Sequence, residues 1–319
     1  MHANTVLLSV PGEDRLQIVE RPRPAVAVGE LLVRVAAIGI NNADQAPASE
    51  ERVAGFEFTG TVEAAGEGVP GDSVGTRVMG LAGGAFAEYV VADARHVMPV
   101  PDGFDDGQAA ASPTALITEY GALRRAEVAD GESVVIVGAT SAIGLVGIQM
   151  AKALGASVVV ATTRTAAKRD LLMQAGADAV IITGEEDLPA RVKELTGGTG
   201  ADIVLDHVGG DLLDAGIAAA RPGGRVISVG RLAGPTAEID LFALARSGAT
   251  VQSVSFGFTP PSVIEGLMEG VRSDVWNAIE EGRIRPVIGR RVRFGEVPDT
   301  LVAQREGERV DGKVVGVIR

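Results

Sequence analysis

The stretch that most constrains the fold is residues 133–152, SVVIVGATSAIGLVGIQMAK. A β-branched apolar run ends at Gly138, small residues follow, and a helical pattern continues past Gly144. This order predicts a buried parallel strand, a tight turn and the start of a helix. Such a turn lets the backbone approach a pyrophosphate, which the N–H groups and dipole of the helix stabilise. We therefore expect Ser141, Ala142, Ile143 and Gly144 to bind a dinucleotide.

The turn departs from the strict dinucleotide pattern, which has glycine at the positions of Ala139 and Ser141. Only Gly144 fits that pattern. Alanine and serine are small enough for a close turn but restrict the backbone more than glycine does. The alternative is an ordinary strand–helix turn in another kind of α/β domain. The strand and helix that follow favour the nucleotide site.

Strand and helix patterns alternate after this turn, which predicts an α/β fold with a doubly wound parallel sheet. The predicted strands are residues 133–137, 157–162, 179–183, 203–208 and 225–229, with a further candidate at 250–256. The predicted helices are residues 143–154, 166–175, 188–195 and 211–220.

The flanking segments have a different character. Residues 1 to about 100 contain short strand patterns between turn residues, and the tail returns to short strands. The predicted strands are residues 5–10, 16–20, 31–40, 58–65, 76–81, 291–294 and 314–318. The predicted helices are residues 108–128, 261–282 and 299–305, and the first of them has a kink or restart at Pro113. We expect a β-rich domain built from residues 1–113 and 257–319, with a nucleotide-binding domain at 114–256 between them.

Composition excludes several classes of protein. The formal net charge of −13 argues against a nucleic-acid partner, because phosphate backbones are bound by clustered Lys and Arg. With no cysteine, disulfides and thiolate metal sites are impossible, and the three histidines are far apart in sequence. We expect no metal. No signal peptide or membrane-spanning run is visible, so we expect a soluble cytoplasmic protein without a membrane partner.

The end of the second parallel strand indicates the cofactor. An NAD site usually has Asp or Glu there, bound to the ribose hydroxyls. This chain has Thr162, Thr163 and Arg164, with Lys168 one turn further on. Hydroxyl, guanidinium and ammonium groups attract a 2′-phosphate, so NADPH is predicted over NADH, with Thr163, Arg164 and Lys168 at the phosphate. The alternative is that Arg164, Lys168 and Arg169 form a solvated helix face, which we favour for Arg169.

Two other nucleotide-binding families are excluded. A short-chain dehydrogenase needs Tyr and Lys one helical turn apart, and neither Tyr89 nor Tyr120 has such a partner. A methyltransferase needs an acidic residue after the second strand, which is also missing.

The whole chain resembles the medium-chain dehydrogenase/reductase superfamily, in its zinc-free quinone oxidoreductase (ζ-crystallin-like) branch. The order and spacing of the matching stretches are more specific than any one of them. These are AIGINNAD (37–44), GFEFTGTVEAAG (55–66), GGAFAEYVV (83–91), TEYGAL (118–123), GATSAIGLVGIQMAKALGA (138–156), ADIVLDHVGG (201–210), RPGGRVISVGR (221–231) and DGKVVGVIR (311–319).

The resemblance implies a GroES-like catalytic domain and a Rossmann domain that binds NADPH. It implies that Asn41 and Thr118 face the nicotinamide, where amide and hydroxyl would hold the carboxamide or polarise the acceptor. It also implies that the nicotinamide half is wrapped by residues at strand ends, namely Val208, Gly209, Gly230 and Arg231. His207 lies at the C-terminal end of the predicted strand 203–208, where it either touches the cofactor or is simply packed.

Three further residues are interpreted structurally. Asn41 has the alternative role of a turn residue that closes its strand. Asp44 is interpreted as a helix cap rather than an acid. Glu57 is interpreted as an internal hydrogen-bonding residue rather than a base.

Zinc-dependent relatives carry a zinc-binding Cys and His. Here the histidine position is Phe56, and the chain has no cysteine. Without a Lewis acid, the reactions that remain are hydride transfer to a quinone or to the β-carbon of an activated alkene, where conjugation spreads the developing charge. The loop after Asp44 is also shorter than in relatives, with Ala46 where a Tyr often lies, so a water molecule is the expected proton source.

The expected function is NADPH-dependent reduction of a small-molecule quinone or α,β-unsaturated carbonyl. An enoyl-thioester reductase, with a basic entrance from Arg52, Arg77 or Arg95, is an alternative of the same class. A non-catalytic NADPH-binding sensor is an alternative of another class. By resemblance, we expect a homodimer formed by the strand near 250–256, because an exposed apolar edge otherwise pairs without control.

Overall fold

The structure, a computed structural model, describes residues 3–46, 48–255, 257 and 259–318. Strands and helices are numbered in chain order. The strands are β1 Ala3–Ser9, β2 Gln17–Pro22, β3 Glu30–Ile40, β4 Arg52–Val53, β5 Glu57–Ala65, β6 Arg77–Leu81, β7 Tyr89–Asp93, β8 Val97–Pro99, β9 Ser133–Val137, β10 Val158–Thr163, β11 Ala179–Ile182, β12 Ala201–Asp206, β13 Ala220–Ser228, β14 Thr250–Ser253, β15 Ile288–Arg293 and β16 Lys313–Val317.

Ten α-helices connect these strands within the described residues. They are α1 Asp106–Ala110, α2 Pro113–Arg125, α3 Ala142–Ala153, α4 Arg169–Gln174, α5 Leu188–Leu195, α6 Asp211–Ala219, α7 Leu241–Ser247, α8 Pro261–Asp274, α9 Trp276–Glu280 and α10 Val297–Arg305. No helix in the described part of the chain is long and apolar enough to cross a lipid bilayer.

The chain divides into two compact units. One contains Met1–Thr114 and Pro286–Arg319, and the other contains Ala115–Arg285. The second border therefore falls after Arg285, whereas the sequence pattern suggested residue 257. Tyr120 Oη donates to Asp274 Oδ2 over 2.6 Å, and Gln149 Nε2 donates to Arg285 O over 3.1 Å. These bonds hold α8, α9 and the segment after them to α2 and α3, within the second unit.

The first unit is β-rich. Its seven-stranded sheet has the order β15-β16-β3-β5-β6-β8, with β7 also paired to β3, and a three-stranded sheet has the order β2-β1-β4. Strand β16 is antiparallel to β3 near the middle of the larger sheet, with Val314 opposite Ile40. A buried cluster that includes Val33, Phe58 and Leu301 forms its core.

The second unit has a six-stranded parallel sheet in the order β11-β10-β9-β12-β13-β14. All five residues of β9 are buried, which explains its unbroken β-branched sequence. Helices α3, α4, α5 and α6 alternate with the strands. The predicted doubly wound Rossmann sheet and the GroES-like β-rich unit are confirmed, as is the α/β fold class.

Several element predictions need correction. The helical segment predicted at 108–128 runs from Asp106 to Arg125. The predicted restart at Pro113 is confirmed, because a second helix begins there and a missing N–H costs nothing in its first turn. The helix predicted at 261–282 is also two helices, since Val275 leaves the helical conformation at ψ 2°. Strand β12 ends at Asp206, not at residue 208, and β13 begins at Ala220 rather than 225.

Short elements escaped the sequence patterns. Strands β4, β7 and β8 and helix α7 were not predicted. Strand β14 ends at Ser253, and Phe256, the end of its predicted range, lies outside the described residues.

Candidate functional site

The carboxyl ends of the parallel strands define the candidate site of the second unit. From β9 the chain first builds outward through β10 and β11, and then returns to place β12 on the opposite side of β9. The sheet order therefore reverses between β9 and β12. In open α/β sheets, ligands bind outside the strand ends at such a reversal.

The turn after β9 has the geometry that close approach requires. Gly138 has φ +74°, and a Cβ there would lie 2.6 Å from Val208 Cγ2. Its N–H donates to Thr162 Oγ1 over 3.0 Å. Gly144 is needed for a different reason, because a Cβ there would lie 2.8 Å from Ala139 Cα. Thr162 thus supports the turn and does not serve a 2′-phosphate.

Helix α3 begins directly at this turn. Ser141 is its N-cap, and Ser141 Oγ accepts a 3.0 Å bond from the Gly144 N–H. The N–H groups of Ala142 and Ile143 belong to the first helical turn, where no intrahelical acceptor exists. These two amides suit a pyrophosphate, whereas the amide of Gly144 is already used by the cap.

The end of β10 carries the residues predicted at a 2′-phosphate. Thr163 is the last residue of the strand, and Thr163 Oγ1 lies 3.4 Å from Thr165 N. Arg164 is exposed and Lys168 is half-buried in the short 3-10 helix that follows. Arg169, which was expected on a solvated helix face, donates from Nη1 to Val180 O over 3.0 Å and so also ties α4 to β11.

The turns after β12 and β13 are both bonded to one buried residue, Asp206. Asp206 Oδ1 accepts from the N–H groups of Val208 and Gly209 over 2.9 and 3.0 Å. The Asp206 carbonyl accepts from Gly230 N over 3.0 Å. Arg231 follows as an exposed side chain. Asp206 therefore fixes the backbone at Val208, Gly209 and Gly230, and Arg231 is the next residue along the chain.

His207 is packed rather than open to a ligand. It is 3% exposed, its Nδ1 lies 3.0 Å from Val137 O and its Nε2 lies 2.6 Å from Glu119 Oε1. His207 was expected either to touch the cofactor or to be packed in the interior, and the structure supports the second interpretation. Thr118, the residue before Glu119 on α2, is half-buried.

Sequence reasoning missed Glu119, although a signal existed. It lies between Leu116, Tyr120 and Leu123 on the apolar face that helical spacing defines, so burial of its carboxyl was foreseeable.

Within the first unit, Asn41 belongs to a buried polar cluster. Asn41 Nδ2 donates to Glu57 Oε2 over 2.8 Å, and Asn41 Oδ1 accepts from Lys313 Nζ over 2.5 Å. Lys313 Nζ also donates to Glu57 Oε2 over 2.6 Å, and Glu57 Oε1 accepts from Thr114 N. Both the oxygen and the nitrogen of the Asn41 amide therefore have partners within this unit, and its role at the nicotinamide stays a prediction.

Glu57 is an internal hydrogen-bonding residue in this cluster, as expected. Asp44 also matches its expected capping role, because Asp44 Oδ2 accepts from Asn41 N over 2.8 Å. Burial raises the pKa of Asp44 to about 7, although the Asn41 N–H and Lys313 act in the opposite direction. Lys313 was missed, and its only sequence signal is a lone charge within an apolar strand.

No group of three potential His, Asp or Glu metal ligands occurs in the part of the chain that the structure describes. The absence of metal from the reaction stays a prediction.

Comparison with known proteins identifies the family. Residues 27–102 match the alcohol dehydrogenase GroES-like domain, and residues 142–272 match the zinc-binding dehydrogenase domain. A quinone oxidoreductase from Pseudomonas aeruginosa is 32% identical over 84% of this chain and 85% of its own length. The chain belongs to the medium-chain dehydrogenase/reductase superfamily, in its quinone oxidoreductase branch.

Solved structures of this superfamily agree. A mycobacterial quinone oxidoreductase has a TM-score of 0.85 and 30% identity, covering 99% of this chain and 100% of that one. A second mycobacterial structure, complexed with NADPH, has a TM-score of 0.84 and 30% identity, with the same coverage.

Large multidomain proteins also contain a similar segment. The spectinabilin polyketide synthase system protein NorB of Streptomyces orinoci is 33% identical over 95% of this chain. The chain spans 14% of the length of that protein, so the similarity concerns one segment of it.

Proposed function

We propose that this medium-chain dehydrogenase/reductase transfers hydride from NADPH to a quinone or to an α,β-unsaturated carbonyl. The observation that carries the cofactor choice is the pair Arg164 and Lys168 just after β10, where an NAD site would have a carboxylate. The structure of a relative complexed with NADPH and the quinone oxidoreductase of Pseudomonas aeruginosa support the proposal.

The residues present fit this cofactor. The first-turn amides of Ala142 and Ile143 would receive the pyrophosphate, and the cap by Ser141 keeps the start of α3 fixed. Arg164 and Lys168 would bind the 2′-phosphate by charge-assisted hydrogen bonds.

At the nicotinamide half, the turns carrying Val208, Gly209, Gly230 and Arg231 would hold the ring. The carboxylate of Asp206 fixes the first of these turns by accepting from the backbone N–H groups of Val208 and Gly209, so Asp206 needs no contact of its own with the ligand.

NADPH supplies the hydride, so the chain must hold donor and acceptor together and exclude water. Thr118 would contact the nicotinamide end through its hydroxyl. Asn41 is the second residue predicted at the nicotinamide end, and its amide is oriented by Glu57 and Lys313. A conjugated acceptor spreads the developing negative charge, and water supplies the proton that completes the reduction. Position 56 is Phe and the chain has no cysteine, so no residue set for the zinc of related enzymes is present in the sequence.

The test is NADPH consumption against a panel of quinones and enones, with NADH as the control. We expect turnover with NADPH and at least tenfold lower kcat/KM with NADH. Equal or better activity with NADH would overturn the cofactor assignment. Tight NADPH binding with no turnover on any acceptor would instead favour the non-catalytic sensor.

A second candidate is an enoyl-thioester reductase. It is favoured by the 33% identity to a segment of a polyketide synthase system protein. A basic entrance would have to come from Arg52, because Arg77 is paired with Asp106 and Arg95 with Asp93. Comparing a free enone with its coenzyme A thioester separates the two candidates. A kcat/KM at least tenfold higher for the thioester than for the free enone would favour the enoyl-thioester reductase.

We also propose a homodimer formed through β14. This strand is the edge of the six-stranded sheet, where unpaired backbone groups are available to a second copy. Light scattering would give twice the 32.7 kDa mass of the chain. A monomer at micromolar concentration would overturn this proposal.

A further inference from the structure

The most unusual feature that the proposed mechanism does not use is the buried pair His207 and Glu119. The side chains are 4% and 0% exposed, and Nε2 lies 2.6 Å from Oε1. The other carboxylate oxygen, Glu119 Oε2, accepts no hydrogen bond from any described residue. A buried acid and base in contact must have a defined proton count, because unpaired charge is costly there.

Hydrogen-bond geometry gives that count. The carbonyl of Val137 can only accept, so Nδ1 of His207 must carry a hydrogen. The 2.6 Å contact between Nε2 and Glu119 Oε1 then needs a second hydrogen between these two atoms. Whichever atom carries it, the pair holds that proton and is neutral as a whole. Loss of the proton leaves one net negative charge.

Other groups around the ring favour retention of the proton. Burial opposes the charged imidazole, but Glu119 and the bond to Val137 O, with a contribution from Asp206, outweigh it, and the pKa of His207 is raised above its ordinary value. Among the described residues, the charged groups that act on the ring are Glu119 of α2, in direct contact, and Asp206, the preceding residue at the end of β12. From β9 the ring contacts the carbonyl of Val137, and Gly230, after β13, packs on the backbone of His207.

The position of the pair matters more than its burial. Val137 O, which His207 holds, is one residue before the pyrophosphate turn at Gly138. Glu119 follows Thr118 on α2, and a Cβ on Gly147 of α3 would lie 2.3 Å from Glu119 Oε2. The pair thus packs on the strand that enters the turn and on the helix that leaves it. A net negative charge at this place would oppose an anionic ligand at the turn.

We propose that His207 and Glu119 are positioning residues for the pyrophosphate turn, and that loss of their shared proton weakens NADPH binding. This inference rests on the proposed function, since it assumes that the turn binds NADPH. The reaction of the pair is simple deprotonation, with the proton released to water. Cofactor binding and proton retention favour each other, since linkage between two sites is reciprocal.

The test is the dissociation constant of NADPH, measured by its fluorescence from pH 7 to pH 10. Above pH 7 the 2′-phosphate is already ionised, since its second pKa is about 6. In the unmodified protein we expect binding to weaken by about tenfold across this range, within the usual range of coupling. Glu119→Gln keeps the hydrogen bond to a neutral ring and removes the charge. It should bind within about threefold of the unmodified protein at pH 7, with no alkaline weakening.

His207→Asn gives the opposite result. Its amide keeps the bond to Val137 O but removes the ring that shares a proton with Glu119. The carboxylate then carries its charge alone, so NADPH binding should be about tenfold weaker even at pH 7. Adding Glu119→Gln to that variant should restore binding. A purely structural role predicts that the double variant is no better than His207→Asn.

Tyr120→Phe is the matched control, because it removes a hydrogen bond of the next residue on α2 that does not reach the turn. Its pH profile should match that of the unmodified protein. If His207→Asn does not fold, the comparison of the unmodified protein with Glu119→Gln still decides. Equal pH profiles of these two proteins would overturn the inference, whereas no NADPH binding by the unmodified protein would overturn the proposed function instead.

Discussion

Lys313 Nζ lies 2.6 Å from Glu57 Oε2, and the two side chains are only 3% and 0% exposed. The Glu57 carboxylate also accepts hydrogen bonds from the side chain of Asn41 and from the backbone N–H of Thr114. It therefore joins β16, β5, the turn after β3 and the start of α2 at one point. Since such a pair is costly to break but not costly to replace, it has clear consequences for stability.

Lys313→Met should lower the free energy of unfolding by about 3–5 kcal/mol, because it leaves the Glu57 carboxylate buried without a cation. The double variant Glu57→Gln/Lys313→Met should recover at least half of that loss. Urea unfolding measures both. As a control, Arg15→Ala, which breaks an exposed pair with Asp299, should leave the midpoint unchanged. A double variant as unstable as Lys313→Met would contradict this account.

Asp44 should make the protein less stable as the pH rises through the acid range. Its folded pKa of about 7 is above the ordinary value of 3.8, so between these values the folded state binds the extra proton. Stability from this group is full below about pH 4, falls up to pH 7 and is constant above it. Asp44→Asn should remove this slope and be more stable by about 2 kcal/mol at pH 8. Parallel pH profiles of unfolding for the two proteins would refute the assignment.

Arg164→Ala and Lys168→Ala should each raise the KM for NADPH by about tenfold, because each removes a charge-assisted hydrogen bond to the 2′-phosphate. The KM for NADH should not change, as NADH has no such phosphate. Lys193→Ala on α5 removes the same charge elsewhere and serves as the control. Steady-state kinetics with both cofactors decide, and an equal rise in both KM values would argue for general damage to the site.

Ser141→Ala should lower the free energy of unfolding by about 1 kcal/mol, since the Gly144 N–H loses its capping acceptor. Ser141→Gly should lower it by only a few tenths of a kcal/mol, because glycine is tolerated at an N-cap. Thermal denaturation of the two variants provides the comparison. If both lost the same stability, the hydroxyl would not be acting as a cap.

The parallel sheet was predictable because its signals are local. Strand β9 is buried on both faces and is apolar throughout, and its predicted bounds of 133–137 match the structure. The same holds for α5, whose predicted bounds of 188–195 are also those observed. By contrast, β7 and β8 are short, and their pairing with β3 and β6 depends on distant residues rather than on a pattern of their own.

The site could be predicted only in part, for a related reason. The turn at 138–144 and the residues after β10 are consecutive in sequence, so their chemistry is visible in one stretch. The partners of Asn41 and His207 are far away, Lys313 for the first and Glu119 for the second. No rule of sequence spacing links the two members of either pair. The only signal in the sequence is a charged residue within an otherwise apolar strand or helix.

The placement of β16 has a consequence for the order in which the two units fold. Asn41 and Lys313 meet although 272 positions separate them, and β16 lies between β15 and β3 in its sheet. The parallel-sheet unit, in contrast, is one uninterrupted segment of the chain. During synthesis this segment can fold on its own. The β-rich unit cannot complete its larger sheet until residues 313–317 have been made, because β16 pairs with β3. That interval is when the unit is most exposed to wrong strand partners.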